Sequence, residues 1–146
     1  MSPTIVVRVA TPSDNAVIEG HLKLARQESS TYRGRPAVTR AATDSYVAAV
    51  GDTVFGSLGV ARESDGTATV THVFVEKEAR EIGIGDSLLS FVMNDLAARN
   101  ITYLAASAQP GDRSLKNLYE RHGLVAQTIL VGRSLSDPST EEHASR

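Results

Sequence analysis

The sequence predicts an α/β sandwich on a mixed β-sheet, and three observations carry that prediction. Short β-branched runs are interleaved with three segments of helical period. Tight-turn signals join three consecutive runs into a meander. One later run is reached from the meander only through a helix, which implies parallel pairing. The chain has 146 residues, the length of one domain. A domain of that size buries roughly 68–70% of its unfolded surface and needs no staple.

Ile5 to Val9 is β-branched apart from Arg8 and reads as the first strand. Thr11-Pro12-Ser13-Asp14 opens a helix, with Thr11 as cap, Pro12 in the first turn and Asp14 three residues past the cap. Val17, Ile18, Leu22 and Ala25 give that helix an apolar face, with His21 packed at its edge, and it is expected to fade near Gln27 or Glu28. Residues 29–44 have no period and form a long, basic connection. Tyr46–Val50, Thr53–Arg62 and Thr67–Val75 are the meander strands, turned by Gly51-Asp52 and Ser64-Asp65-Gly66. Gly56 and Gly59 are bulge positions.

Gly83 to Arg99 carries Ile84, Leu88, Phe91, Val92 and Leu96 at helical spacing, and Asn100 suits a left-handed end. Ile101 to Ser107 is the parallel strand. Asp112 caps a last helix through His122, with Leu115, Leu118, Tyr119 and His122 facing inward and Gly123 closing it. Val125 to Arg133 reads as a final strand. Residues 1–135 are thus one domain, and the polar stretch 136–146 is expected to be a disordered tail.

Composition excludes several function classes. A formal net charge of −2 argues against a broad nucleic-acid or anionic-membrane surface. With no cysteine there is no disulfide, thiolate nucleophile or Cys-ligated metal. The four histidines lack short ligand spacing, so no metal site is expected. No run approaches the roughly 20 apolar residues of a membrane helix. No basic stretch precedes an apolar segment at the N-terminus, which predicts a cytoplasmic protein.

The informative stretch is Val73-Phe74-Val75-Glu76-Lys77-Glu78-Ala79-Arg80-Glu81-Ile82-Gly83-Ile84-Gly85. A strand ends, a polar turn follows, and two glycines lie where a helix opens. Helix starts expose unpaired N–H groups and a positive dipole end, and glycine lets a phosphate approach them. A pyrophosphate cradle and a ligand-free helix start both satisfy this pattern. A dinucleotide fingerprint and a P-loop do not, for want of a third glycine and of Gly-Lys-Ser/Thr.

Arg80-x-x-Gly83-x-Gly85 after a strand led by Val73 and Val75 resembles the acyl-CoA pyrophosphate motif of the GNAT N-acetyltransferase superfamily. Asn117-Leu118-Tyr119-Glu120-Arg121-His122-Gly123-Leu124 is similar to that family's closing helix end, and Arg8 to Asp14 to its opening. The resemblance spans roughly residues 5 to 134, by the estimated element boundaries. It implies a largely antiparallel sheet with a splayed parallel pair and helices on both faces. It also implies acetyl transfer from acetyl-CoA to an amine.

By position, the resemblance puts Val73 and Val75 against pantetheine and Arg80, Gly83, Ile84 and Gly85 on the pyrophosphate. Asp112, Arg113 and Lys116, at the start of the last helix, are its further cofactor-binding candidates, with surface charge as the other reading. Tyr119 falls on the general acid that protonates the departing thiolate, against the alternative of a core tyrosine. Tyr32, Arg33 and Arg35 would border the acceptor, with Arg40 nearby, and arginine forks would suit an anionic group on it. Solvated charge is the alternative there too. Glu28 would lie near the acceptor entrance.

The chain also departs from the family pattern. Thr71 stands where many members have a glutamate base, although its hydroxyl can hold a water. Asp112 replaces an asparagine and Glu81 a glycine. Strand alternation sends His72 to the opposite side of the sheet from Thr71, where it is either a base or a structural histidine. No clear hairpin ends the chain, so the acceptor site is either reduced or completed by another subunit, as in a homodimer. Two functions from different classes follow: an acetyl-CoA-dependent N-acetyltransferase, and a catalytically silent acyl-CoA-binding regulatory or interaction domain of the same fold. An interaction module without cofactor would leave the glycines and Tyr119 unexplained.

Overall fold

Five strands form one sheet in chain order: β1 (Ile5–Val9), β2 (Asp44–Val50), β3 (Thr53–Arg62), β4 (Thr67–Val75) and β5 (Tyr103–Ala105). The first four pair antiparallel, and β4 pairs β5 parallel. Helix α1 (Asn15–Ser29) links β1 to β2, α2 (Ile84–Ala98) links β4 to β5, and α3 (Arg113–Arg121) follows β5. The computed structural model describes residues 4–37 and 40–136. Most of the expected tail, 137–146, lies outside the described residues. Among those described, no helix is long and apolar enough to cross a membrane.

The chain enters α1 through a locked corner. Asp14 accepts from Arg8 at 2.7 and 3.0 Å, from the backbone N–H of Thr11 at 2.8 Å and from the Thr11 hydroxyl at 3.2 Å. The Arg8 guanidinium, ahead of those backbone and hydroxyl bonds, lowers the Asp14 pKa to about 2. Thr11 is the cap of a short 3₁₀ turn, Pro12–Asp14, that runs straight into α1. The corner aims α1 along one face of the sheet, with the His21 and Phe74 rings 5.1 Å apart.

The other face holds the main core. Tyr46, Leu58 and Val60 from the sheet pack with Ile84, Leu88, Leu89, Val92 and Leu96 of α2 and Leu118 and Tyr119 of α3. Each fully buried large apolar side chain contributes about 1.5–3 kcal/mol. Gly56 is required there, because a Cβ would lie 2.8 Å from Ile84 Cγ2. It sits in an irregularity of the β2–β3 ladder, and Gly59 sits in a second one with β4. At the second, Gly59 pairs His72 while Val60 pairs Val70, so Thr71 is the extra residue of a β-bulge.

Three expectations are corrected. The parallel strand spans three residues, Tyr103–Ala105, and not Ile101 to Ser107. Val125 to Arg133 forms no strand, and Ile129, Leu130 and Val131 are 85%, 89% and 84% exposed. Strand propensity expresses packing against neighbours, and this segment has no ladder partner. The third correction concerns Thr71 and His72. The bulge interrupts alternation, so both line one cavity on the α1 side.

Candidate active site

The site begins where the parallel ladder stops. β4 and β5 pair only at Thr67↔Tyr103, Ala68↔Leu104 and Thr69↔Ala105. Among the described residues β4 continues to Val75 beside β3 alone, so from Val70 onward its other backbone edge has no strand partner there. That edge offers N–H and C=O groups to an extended ligand. Val73 and Val75 lie along it and turn their side chains to the α2 core.

A helix start stands beyond the end of this edge. Gly83 is the N-cap of α2 at φ +94 with no side chain capping it. The first N–H groups of α2 therefore have no intrahelical partner. Ile84 is buried, so only its backbone can meet a ligand there. Gly85 differs from expectation: its Cβ would lie 3.3 Å from Leu118 Cδ2, so its missing side chain serves helix–helix packing. Asp86 is drawn aside by Arg121, at 3.1 Å twice, and by His122 at 2.8 Å, and does not confront an incoming anion. Arg121, burial and His122, in that order, act on its carboxyl, which is held below the usual range. Arg80 folds back over Phe74, donating to the Val75 carbonyl at 2.7 Å and to Glu28 at 2.9 Å. Its pair with Glu28 is half-exposed, and such pairs are worth about 0–1 kcal/mol, so a phosphate can displace it.

The α1–β2 connection is tied to the β5–α3 loop. Ser29 Oγ donates to Gln109 at 2.6 Å, the Gln109 amide reaches the Ser29 and Gly34 carbonyls, and Arg33 N–H donates to the Pro110 carbonyl. Sequence reasoning missed Gln109. Burial, and then the charges of Asp112 and Glu28, raise the Tyr32 pKa. Arg33 and Arg35 are exposed and make no ion pair among the described residues. Asp112 accepts from Leu115 N at 3.2 Å and caps α3, while Arg113 and Lys116 are exposed on its first turn.

Tyr119 is 7% exposed on the inner face of α3. Burial, then the Asp112 charge, raises its pKa, so the phenol stays protonated at neutral pH. Its hydroxyl has no hydrogen-bond partner among the described residues, yet the oxygen is not sealed from solvent.

On the α1 side of the bulge a cavity of about 200 Å³ is lined by Ile18, Leu22, Arg40, Thr71 and His72, among others. Arg40 is committed to Glu63 at 2.6 Å. His72 Nε2 is 2.9 Å from Ser57 Oγ, which is 2.8 Å from His21 Nδ1, and His21 Nε2 is 2.9 Å from Glu76. Burial, with a smaller contribution from His21, lowers the His72 pKa to about 4. His21 is buried in the middle of this chain, not packed at an edge. The one sequence signal was a polar residue inside the Ile18–Leu22–Ala25 stripe. Among the described residues no cluster of His, Asp and Glu could hold a metal ion.

An acetyltransferase (GNAT) domain profile matches residues 41–125, more than half of the chain, and includes the bulge, the open edge and the helix start. The chain belongs to the GNAT acetyltransferase family. No curated protein matches it by sequence. Among solved structures, this GNAT domain resembles a possible acetyltransferase from Clostridium difficile 630, with TM-score 0.69 and 18% identity over 90% of this chain and 97% of that one. It resembles ribosomal-protein-alanine N-acetyltransferase from Brucella melitensis biovar Abortus 2308 equally, at 0.69 and 17% over 90% and 99%. A third likeness is AAC(6')-Iy in complex with the bisubstrate analog CoA-S-monomethyl-acetylneamine, at 0.67 and 13% over 90% and 98%. At these identities the likeness is one of fold. It agrees with the GNAT sheet seen here, antiparallel with one short parallel pair.

Proposed function

We propose that this chain is an acetyl-CoA-dependent N-acetyltransferase acting on an amine. One observation carries the reading: the β4–β5 ladder stops after three residues, and the open β4 edge leads to an uncapped helix start. A pantetheine arm needs such an edge, and a pyrophosphate needs such a helix start. The residues fit the donor, since Asp86 is withdrawn and Arg80 is held only by a half-exposed pair.

Acetyl-CoA supplies an activated acetyl thioester. In this reading, backbone groups at Val73 and Val75 hold pantetheine. N–H groups at Gly83, Ile84 and Gly85 hold the pyrophosphate, and Arg80 leaves Glu28 to join them. Arg113 and Lys116 reach the outer phosphates, and Asp112 fixes the turn that carries them. Tyr119 gives its proton to the departing sulfur, whose thiol form has a pKa of about 8.5. Thr71 orders a water or the acceptor, and Tyr32, Arg33 and Arg35 flank the acceptor, which carries an anionic group. A cytoplasmic location goes with that donor. A second copy of the chain is the proposed source of any further acceptor-site wall.

The silent acyl-CoA-binding reading draws on Thr71 in place of an acid and on the Glu28–Arg80 pair. Thermal shift with acetyl-CoA and CoA, followed by thiol release across an amine panel, separates the two. A shift with thiol release supports the enzyme. A shift without release for any amine favours the silent domain. No shift with either ligand overturns both.

A further inference from the structure

We propose that Glu76, His21, Ser57 and His72 form a proton relay that draws the acceptor amine's proton away from the reaction cavity. This rests on the acetyltransferase reading and adds the route by which that reaction loses its proton.

Four side chains from α1, β3, β4 and the residue after β4 are joined end to end: His72 Nε2 to Ser57 Oγ at 2.9 Å, Ser57 Oγ to His21 Nδ1 at 2.8 Å, and His21 Nε2 to Glu76 Oε2 at 2.9 Å. Ser57 is fully buried and His21 is 2% exposed. The ends differ. His72 lines the cavity beside Thr71, and the Glu76 side chain is 30% exposed.

The carboxylate orders every proton in the chain. Ionised Glu76 only accepts, so His21 Nε2 carries a hydrogen and donates to it. Neutral His21 then has a lone pair on Nδ1, which accepts from the Ser57 hydroxyl. With its one hydrogen spent, Ser57 accepts from His72 Nε2–H. His72 Nδ1 is left as a bare lone pair, with no hydrogen-bond partner among the described residues. A base is thus presented at the cavity end.

The transfer balances. An ammonium acceptor, R–NH₃⁺, gives one proton to His72 Nδ1 and becomes R–NH₂. The His72 Nε2 proton passes to Ser57 Oγ, and the Ser57 proton passes to His21 Nδ1. His21 is now an imidazolium against the Glu76 carboxylate, and its Nε2 proton leaves through Glu76 to water. The amine's second proton, released as its nitrogen bonds to the acetyl carbon, restores Tyr119 after that phenol has protonated the sulfur. The net products are an amide, CoA thiol and one proton; once they leave, a proton re-entering at Glu76 runs the wire back and His72 Nδ1 gives its hydrogen to cavity water, which restores the starting tautomers.

A relay answers a difficulty that a lone histidine cannot. Burial makes His72 a poor resting place for positive charge, with a pKa of about 4. The wire delivers the charge to His21, which sits against an acid. The charged groups around it are few. From α1 comes Glu28, which is bound to Arg80, and from the connection before β2 comes Arg40, which is bound to Glu63. From β4 comes His72 itself, and from the residue after it Glu76. The face of α2 is across the sheet.

The test uses the full chain and two variants. Glu76→Gln keeps the hydrogen bond but can no longer take a proton, and Ser57→Ala cuts the wire between intact histidines. In the parent, long-range ¹H–¹⁵N spectra should show both histidines as Nε2–H tautomers at pH 7.5, with no substrate present. With the most active amine of the panel, kcat/KM should fall by about a hundredfold or more in each variant at pH 7, the low end for a lost general base. The loss should shrink above the amine's own pKa, and acetyl-CoA affinity should hold. An Nδ1–H tautomer at His72 in the parent overturns the relay. So does a rate loss that is constant across pH, which marks a structural network, or the absence of any loss. A parent that transfers acetyl to no amine overturns the acetyltransferase reading and the relay's purpose with it. An active parent with unchanged variants overturns the relay alone.

Discussion

Glu81 holds a backbone conformation that its side chain resists. Its φ is +78, and it is exposed on the loop before α2. Left-handed backbone costs a residue with a Cβ about 1–2 kcal/mol. Glu81→Gly removes that cost and opens no cavity. Glycine's extra freedom in the unfolded chain offsets about 0.4–1 kcal/mol of the gain. The net expectation is about 0.5–1 kcal/mol of added stability. For a chain of this size that is a rise in Tm of about 1–4 °C. Glu81→Ala is the control, because it removes the same charge and keeps the strained Cβ. Its effect should stay within about 0.5 kcal/mol. Differential scanning calorimetry on parent and both variants decides. If glycine gives no gain, or alanine gains as much, the loop is not strained at this residue.

Three further outcomes are expected. Gly85→Val should lower stability by about 1–3 kcal/mol through overpacking on Leu118, seen as a lower urea midpoint; an unchanged midpoint would mean the two helices do not meet there. Asp14, with a folded pKa of about 2 against an unfolded value near 3.9, contributes stability that is complete above the unfolded value and lost as pH falls through the folded one. The Tm of the parent should therefore drop faster between about pH 4 and pH 2 than that of Asp14→Asn, and parallel curves would remove Asp14 from the account. An Arg33→Ala, Arg35→Ala variant should raise the KM of an anionic acceptor roughly tenfold or more while sparing acetyl-CoA binding; steady-state kinetics with both substrates reads the difference.

The parts of the fold that could be read from sequence are those where one element's own pattern decides its neighbours. Ile84, Leu88, Val92 and Leu96 specify a buried helix face without reference to anything else, and they are buried. Asn100 and Gly123 were legible because a left-handed helix end selects for those side chains, and both have positive φ. The meander was legible because its turns are local. Val125 to Arg133 was misread because a strand is a relation between two segments, and this one has no ladder partner among the described residues. The bulge at Thr71 was invisible for a similar reason: alternation along β4 cannot show that Gly59 and Val60 span three residues opposite. The helix start at Gly83 could be placed because it sits on one turn. The His21 network could not, because Ser57 and Glu76 lie 36 and 55 residues away along the chain.

Acetyl transfer beside the open β4 edge is tested most directly at Tyr119. Tyr119→Phe keeps the ring in the core and removes only a hydroxyl that has no partner among the described residues, so the fold should persist. Thiol release with acetyl-CoA and an active amine is the measurement, beside calorimetric titration of acetyl-CoA. The expected kcat is lower by about a hundredfold or more with acetyl-CoA affinity nearly unchanged. A variant that retains the parent's kcat would contradict it.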